Sequence, residues 1–258
     1  MDSGISREDV LDRISTRIIG REVLYLPSVT STMDVARKAA TGGAVEGTVV
    51  VADRQTKGRA RLGRAWINPP GVLAMSLIVH PEMSKLLRLT MMASLATSRC
   101  IERVAGLETS IKWPNDVLIR GKKVSGILTQ SALRRQSVRW AIIGIGINVN
   151  FDPSAYPEIA DTATSLSNEL GTTVSQLDVL VCLIEELDEL YVGLQKGEAL
   201  HDDWRNRLET IGKIVRVTSG KRVIDGCAES VDGDGALMVR QLDGSLVQIT
   251  AGDVTLRT

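Results

Sequence analysis

Residues 47–79, GTVVVADRQTKGRARLGRAWINPPGVLAMSLIV, read as a strand, a loop and a strand. Gly47 to Ala52 is a short β-branched run of the kind a buried strand carries, and Val72 to Val79 is a second. Slung between them, Arg54 to Trp66 holds five cations and no acid in thirteen residues. Such a segment suits an anion. Gly58 and Gly63 permit tight backbone turns that present main-chain N–H groups, and the planar fork of arginine donates two parallel hydrogen bonds to phosphate or carboxylate. The run does not have the G-x-x-x-x-G-K-[ST] spacing, which excludes a Walker-type P-loop. The alternative is a solvated basic loop, and the choice depends on what faces it.

Composition narrows the classes. Lys plus Arg and Asp plus Glu are 31 each in 258 residues, so the basic loop is a local feature and not part of an electrostatic footprint for nucleic acid or anionic membrane. Cys100, Cys182 and Cys227 are odd in number, widely spaced and without C-x-x-C, which argues against a disulfide framework or zinc site and fits a reducing cytoplasm. No signal-peptide core and no long uncharged apolar stretch is present, so a soluble cytoplasmic protein with an aliphatic core is expected.

Upstream of the loop, residues 1–20 hold one amphipathic pattern, Val10, Leu11, Ile14 and Ile18, with Ser6 and Asp9 spaced as a capping box. That is room for one helix, short of the three a helix-turn-helix domain needs. After a strand at Val23 to Leu26, Ser31 is placed to cap a helix through Val35, Ala36 and Ala40, with Asp34 at the reciprocal position. The hydroxyls of Ser31 and Thr32 suit a small polar ligand equally well.

Downstream, Ser84 to Val104 is expected as a helix ended by Gly106, its Leu89, Met92, Ala96 and Cys100 facing the core. Lys112-Trp113-Pro114-Asn115-Asp116 interrupts a strand, because proline cannot sit in a central ladder, and is expected to turn polar side chains into a cleft. Trp140 to Val149 is an apolar strand containing Gly144 and Gly146. Glycines there mark either close approach of a ligand or backbone, or a bulge. Ser175 to Gln195 is a core helix with Asp178 completing another capping box, and a short helix follows around Trp204. From Gly212 onward, five short strands separated by Gly and Asp-Gly turns predict a small β-barrel. The expected organisation is α+β: a catalytic-type domain at 1–210 with a central mixed sheet, and an appended SH3-like barrel at 211–258.

Four motifs together resemble the biotin protein ligase family: Ser31-Thr32, Gly58 to Trp66, Lys112 to Asp116, and Gly144-Ile145-Gly146-Ile147-Asn148. Lys123 in Lys-x-x-Gly126-Ile-Leu and the terminal barrel extend the resemblance from about Ser28 to the C-terminus. It implies the class II synthetase-like fold of biotin and lipoate ligases. It also implies a two-step reaction in which biotin and Mg-ATP give biotinyl-5′-AMP and pyrophosphate, and the acyl group then passes to a lysine of a carboxylase's biotin carrier domain. On that resemblance Arg59, Arg61, Lys123 and Lys112 are the catalytic cations. Ser31, Thr32, Met33, Gln55, Gly58, Arg59, Ala60, Arg61, Lys123 and Gly126 line the biotin site, while Arg61, Arg64, Trp66, Lys112, Asn115 and Asn148 hold ATP, Trp66 as the platform for adenine. Asn115 and Asp116 are the candidate Mg²⁺ ligands. The chain departs from the family pattern at Ala60, where a glycine is usual, and at Met33, where Asn is common. A homodimer is compatible with the resemblance.

Lipoate or octanoate ligases share the fold, but Lys-Trp-Pro-Asn-Asp and the terminal barrel favour biotin. A ligase that is also a repressor is disfavoured by the short N-terminal segment and zero net charge. A binding protein without chemistry leaves the phosphate-suited cations beside Trp66 unexplained.

Overall fold

The computed structural model describes residues 5–256; residues 1–4 and 257–258, at the outer ends of the two expected domains, lie outside it. The helices are α1 (Arg7–Leu11), α2 (Thr32–Thr41), α3 (Arg88–Ala105), α4 (Leu166–Leu170), α5 (Gln176–Lys196) and α6 (His201–Asn206). Strands β1 (Val23–Val29), β2 (Val49–Gln55), β3 (Val72–Val79), β4 (Ser110–Lys112), β5 (Asp116–Ile119), β6 (Lys122–Arg134) and β7 (Ser137–Asn148) form one sheet in the order β1-β2-β3-β7-β6-β5-β4. The β1–β2 pair is parallel and the others antiparallel, so the sheet is mixed as expected.

The two faces of this sheet differ, and that difference creates the site. Side chains alternate along a strand. In β7, Ile143, Ile145 and Ile147 enter the main core with Leu89, Met92 and Leu95 of α3 and Leu180, Leu183 and Leu187 of α5, whereas Ile142 belongs to a smaller cluster under α2. β2 and β3 divide the same way, with Val49, Val51, Leu77 and Val79 in the main core and Val50 and Ile78 under α2. Continuing the α2-side period along β3 and β7 gives Ser76, Gly144, Gly146 and Asn148. Large aliphatics hold α3 and α5 on one face, and small or polar residues leave depth on the other.

Several expected elements are shorter or differently capped. Ser6 and Asp9 do form the capping box, but α1 ends at Leu11, and Ile14 and Ile18 pack on the core from a loop. That loop is held by Asp188 of α5, whose carboxylate accepts backbone N–H bonds from Arg17, Ile18 and Ile19 at 2.7–2.9 Å. α3 starts four residues later than expected, after a 3-10 turn at Met83–Lys85, and ends at Gly106 in the left-handed conformation. Ser175 caps α5, but the Asp178 carboxylate turns to Arg13 at 2.7 Å and leaves the reciprocal half of the box unmade. Cys100 and Cys182, distant in sequence, meet between α3 and α5, and all three cysteines are free.

β8 (Ile214–Ser219), β9 (Arg222–Val231), β10 (Leu237–Arg240), β11 (Leu246–Ile249) and β12 (Asp253–Leu256) form an antiparallel sheet in the order β11-β10-β9-β8-β12. Among the described residues the expected small barrel is a five-stranded antiparallel sheet without a β11–β12 ladder to close it. The apolar face of this sheet, including Val215, Val217, Leu237 and Val239, belongs to the main core. Trp113 Nε1 also donates to Gly235 O at 2.8 Å. That bond places the terminal sheet against the Lys112–Asp116 segment.

Candidate active site

A cavity of about 830 Å³ opens on the small-residue face of the main sheet. Every residue expected to contact ligand lines it except Gly58. Gly58 instead forms the neck of the basic loop: it accepts the Trp66 N–H at 3.0 Å, and a Cβ at that position would lie 2.4 Å from Trp66 O. Lys112, Asn115 and Asp116 face the cavity as expected of the interrupted strand, whereas Trp113 turns away and is 2% exposed.

The basic loop is a closed hairpin. Ala60 N donates to Arg64 O, and the turn is made by Leu62 at φ 56° and Gly63 at φ 74°. Ala60 itself is extended, at φ −124°, so no glycine is required there. Of the five cations Arg59, Arg61 and Arg64 line the cavity, and Arg54 and Lys57 do not. Repulsion among its like charges favours a loosely held loop, but each lining arginine has a protein partner. Arg59 pairs with Asp34 at 2.7 Å, and Arg64 with Asp253 at 2.9 Å. Arg61 donates to Asn115 Oδ1 at 2.6 Å and Gly252 O at 2.9 Å. Burial lowers the pKa of the Arg61 guanidinium, with Asp253 and Asp116 opposing the shift.

The Arg59 and Arg64 pairs are partly exposed, and such pairs contribute about 0–1 kcal/mol each. The loop is therefore expected to open readily without an anion. Brief trypsin digestion of the ligand-free protein should cut first within residues 57–64, and biotin with ATP should suppress that cut far more than cuts elsewhere. Resistance without ligand would mean that the three ties suffice. Equal protection at all sites would mean that ligand stabilises the whole chain and not the loop.

The floor is built by glycines. A Cβ on Gly146 would lie 2.5 Å from the Trp66 ring, and one on Gly126 3.1 Å from it. Close approach of a side chain therefore accounts for Gly146, and Gly144 likewise, where a Cβ would meet Met33 Sδ at 2.6 Å. Lys123 Nζ stands 5.5 Å from the Trp66 ring centroid and 2.7 Å from Asp116 Oδ1, as an ion pair without an aligned hydrogen bond.

Asn115 and Asp116 do not offer themselves as a metal pair. Asn115 uses Oδ1 for Arg61 and Nδ2 for Ile127 O, and Asp116 is neutralised by Lys123. No cluster of three His, Cys, Asp or Glu residues suited to a metal occurs among the described residues. Asn148 commits its amide nitrogen to Thr164 O at 2.9 Å, which fastens the loop before α4 alongside Lys123.

Part of the lining is made of uncharged polar side chains. Thr32 donates both its backbone N–H and its hydroxyl to Gln55 Oε1, at 2.8 and 3.1 Å, and its hydroxyl accepts from Ser76. Gln55 Nε2 then donates to Asn68 Oδ1. Ser31 stands at the N-cap of α2, yet its Oγ does not cap the helix; it is fully buried and has no partner. Asp34 likewise leaves the expected capping role for Arg37 and Arg59. Trp66 Nε1 is a second buried orphan on the lining.

Sequence reading missed Asp34, Gly252 and Asp253, the partners of the loop arginines, and the cavity-lining segment 158–163. In the sequence Asp34 reads as a helix-capping residue and Asp253 as an ordinary surface charge, because nothing local relates them to residues 59–64.

Residues 25–148 match the biotin/lipoate A/B protein ligase family, and residues 210–257 match the biotin protein ligase C-terminal domain. Similar proteins include the bifunctional ligase/repressor BirA of Bacillus subtilis, 36% identical over 98% of this chain and 79% of its own length. A biotin--[acetyl-CoA-carboxylase] ligase of Mycobacterium tuberculosis is 32% identical over 86% and 83%. Among solved structures, the biotin protein ligase of Aquifex aeolicus in complex with biotin and ATP superposes with a TM-score of 0.79 at 30% identity, covering 92% of this chain and 99% of that one. The ligase of Leishmania major in complex with biotinyl-5-AMP gives 0.60 at 25% identity, covering 90% and 99%. The chain belongs to the biotin protein ligase family.

Proposed function

We infer that this chain activates biotin with ATP and transfers it to a lysine of a carboxylase's biotin carrier domain. The observation that carries the reading is one cavity lined by two unlike sets of groups: the orphaned Ser31 hydroxyl beside the Thr32–Gln55 pair, and the cations Arg59, Arg61, Arg64, Lys112 and Lys123 with Trp66.

The uncharged set suits a ureido head, whose N–H groups and carbonyl need acceptors and donors in place of water. An unsatisfied buried hydroxyl costs about 1–3 kcal/mol, which a polar ligand offsets. In the first step a carboxylate oxygen attacks the α-phosphorus, the bond to the β-phosphate breaks, and pyrophosphate leaves with the electron pair. Both reactants are anions, so Arg59, Arg61 and Lys123 are assigned to neutralise them, with Arg64 and Lys112 assisting. Trp66 is assigned as the stacking platform for adenine, with Asn148 beside it. Mg²⁺ bound with ATP would add charge neutralisation at the phosphates; without ligand, Asn115 and Asp116 are engaged by Arg61 and Lys123. The domain division at 210/211 is proposed from the change to short strands.

A lipoate or octanoate ligase is the second reading. An acyl chain without a urea leaves Ser31 unsatisfied, and the match over residues 210–257 is to the biotin ligase domain. Incubating the protein with ATP, Mg²⁺ and an acceptor domain, offering biotin or lipoate, and weighing the product distinguishes them; biotin addition is expected, and lipoate addition alone would overturn the reading.

The carrier domain is the proposed partner and the cytoplasm the proposed compartment; no helix among the described residues is long and apolar enough to cross a membrane. DNA binding by this chain is not expected. Lys plus Arg and Asp plus Glu balance at 31 each, which leaves no overall electrostatic footprint for DNA. Mobility-shift titration with the promoter DNA of its own gene, with and without biotin, should give no salt-sensitive specific complex, and a nanomolar one at physiological salt would refute this.

A further inference from the structure

A second cavity, of about 350 Å³, lies between the start of α3, Pro114 and the β9–β10 turn of the terminal sheet. It shares Arg61, Asn115, Ile127 and Leu128 with the first cavity as a common wall. We propose that this second cavity is the entry for the acceptor lysine, admitting it to the adenylate while the basic loop stays closed. The proposal rests on the ligase reading above and extends it to the route of the second substrate.

Two requirements conflict at the first cavity. A mixed anhydride has to be kept from water, which closure of the basic loop achieves. It has also to meet an amine carried on a folded domain. A separate mouth behind Arg61 resolves the conflict, since Arg61 is fixed in the shared wall by Asn115 and Gly252 and need not move for the loop to remain shut.

The lining suits a lysine. Leu87, 59% exposed at the mouth, and buried Met91 offer apolar surface to the four-carbon stem. The charged side chains on this lining are one cation, Arg61, and two carboxylates, Asp232 and Asp234, whereas the first cavity has five of each sign. Asp232 has no ion-pair partner among the described residues. Its oxygens accept from the backbone N–H groups of Asp234 and Ala236 and from the Gln248 amide, so the carboxylate is held in place without being neutralised. Asp234 pairs with Arg88 at 3.0 Å, partly exposed. With Arg88 counted the mouth carries two cations and two carboxylates, so Asp232, the carboxylate without an ion pair, is the group left to receive an arriving ammonium.

In the step itself the ammonium releases one proton to water and its nitrogen bonds to the acyl carbon. The bond from that carbon to the phosphate oxygen breaks, AMP leaves with the electron pair, and a second proton passes to water as the amide forms.

The test uses the full chain carrying Leu87→Arg or Asp234→Lys, both at partly exposed positions away from the adenylate-forming groups. Each variant is expected to keep biotin-dependent ATP–pyrophosphate exchange within about twofold of wild type, and to slow transfer from preformed biotinyl-adenylate to the carrier domain by about tenfold or more. Unchanged transfer in both variants overturns the proposal. Loss of exchange with transfer intact would make the cavity the pyrophosphate exit, and equal loss of both half-reactions would make it a structural region; either outcome overturns it as well. A wild-type chain that fails to exchange pyrophosphate in the presence of biotin would refute the ligase reading, and this route with it, in an assay separate from the transfer measurement.

Discussion

Lys123→Ala is expected to slow biotinyl-adenylate formation by about a hundredfold or more, equivalent to about 2.7 kcal/mol of lost transition-state stabilisation. Two effects add in the same direction. The variant removes a donor from the place where an anionic carboxylate meets an anionic phosphate, and it uncovers Asp116, whose carboxylate lies 2.7 Å from Lys123 Nζ, so a neutralised acid becomes a repulsive one. Arg59→Ala should cost a similar factor for the first reason alone, since its partner Asp34 retains Arg37. Pyrophosphate exchange at saturating biotin and ATP measures both, with Arg7→Ala in α1 as the control expected to behave as wild type. Undiminished rates in Lys123→Ala and Arg59→Ala would remove those side chains from the chemistry.

Asp188→Ala should destabilise the fold by about 3–5 kcal/mol, because three backbone N–H groups of residues 17–19 lose their acceptor at once and each unsatisfied donor costs about 1–3 kcal/mol before relaxation. Asp188 is 5% exposed and Ile19 fully buried, so bulk water cannot replace the carboxylate without opening the contact. For a chain of this size the melting temperature should fall by about 6–20 °C. Asp188→Asn should fall between the variant and wild type, since one amide oxygen can still accept from Ile18 and Ile19, which share Oδ1 in the native arrangement. A change of less than about 2 °C in Asp188→Ala would show that the loop satisfies these groups another way.

Asp188 illustrates what a periodic reading overlooks. The apolar spacing of α5 identifies a core helix, and Leu180, Ile184 and Leu187 are fully buried, but the same pattern treats an intervening acid as solvent-facing. Ser31 shows the converse. Its sequence position is that of a helix cap, and it occupies the N-cap, yet its hydroxyl leaves the helix unserved. Local spacing specifies where a residue sits on an element and not which neighbour its polar atom meets. The terminal strands were legible from their alternation and Gly-Asp turns, whereas closure into a barrel depends on whether two edge strands meet, which no local pattern encodes.

The residue pattern by itself determined the strand–loop–strand unit, the helix α3 stopped at Gly106, the core face of α5 and the set of cations offered to an anion. These follow from backbone sterics, side-chain periodicity and charge, all properties of short stretches. The tertiary structure decided which cations face the cavity, that Gly144 and Gly146 are required by Met33 and Trp66, and that Asp34, Gly252 and Asp253 tie the loop arginines. Arg61 and Gly252 are 191 residues apart, and they meet because the terminal sheet shares one apolar core with α3 and α5. Contacts of that kind are set by how whole layers pack, since burying an aliphatic face brings its polar neighbours together regardless of their distance along the chain.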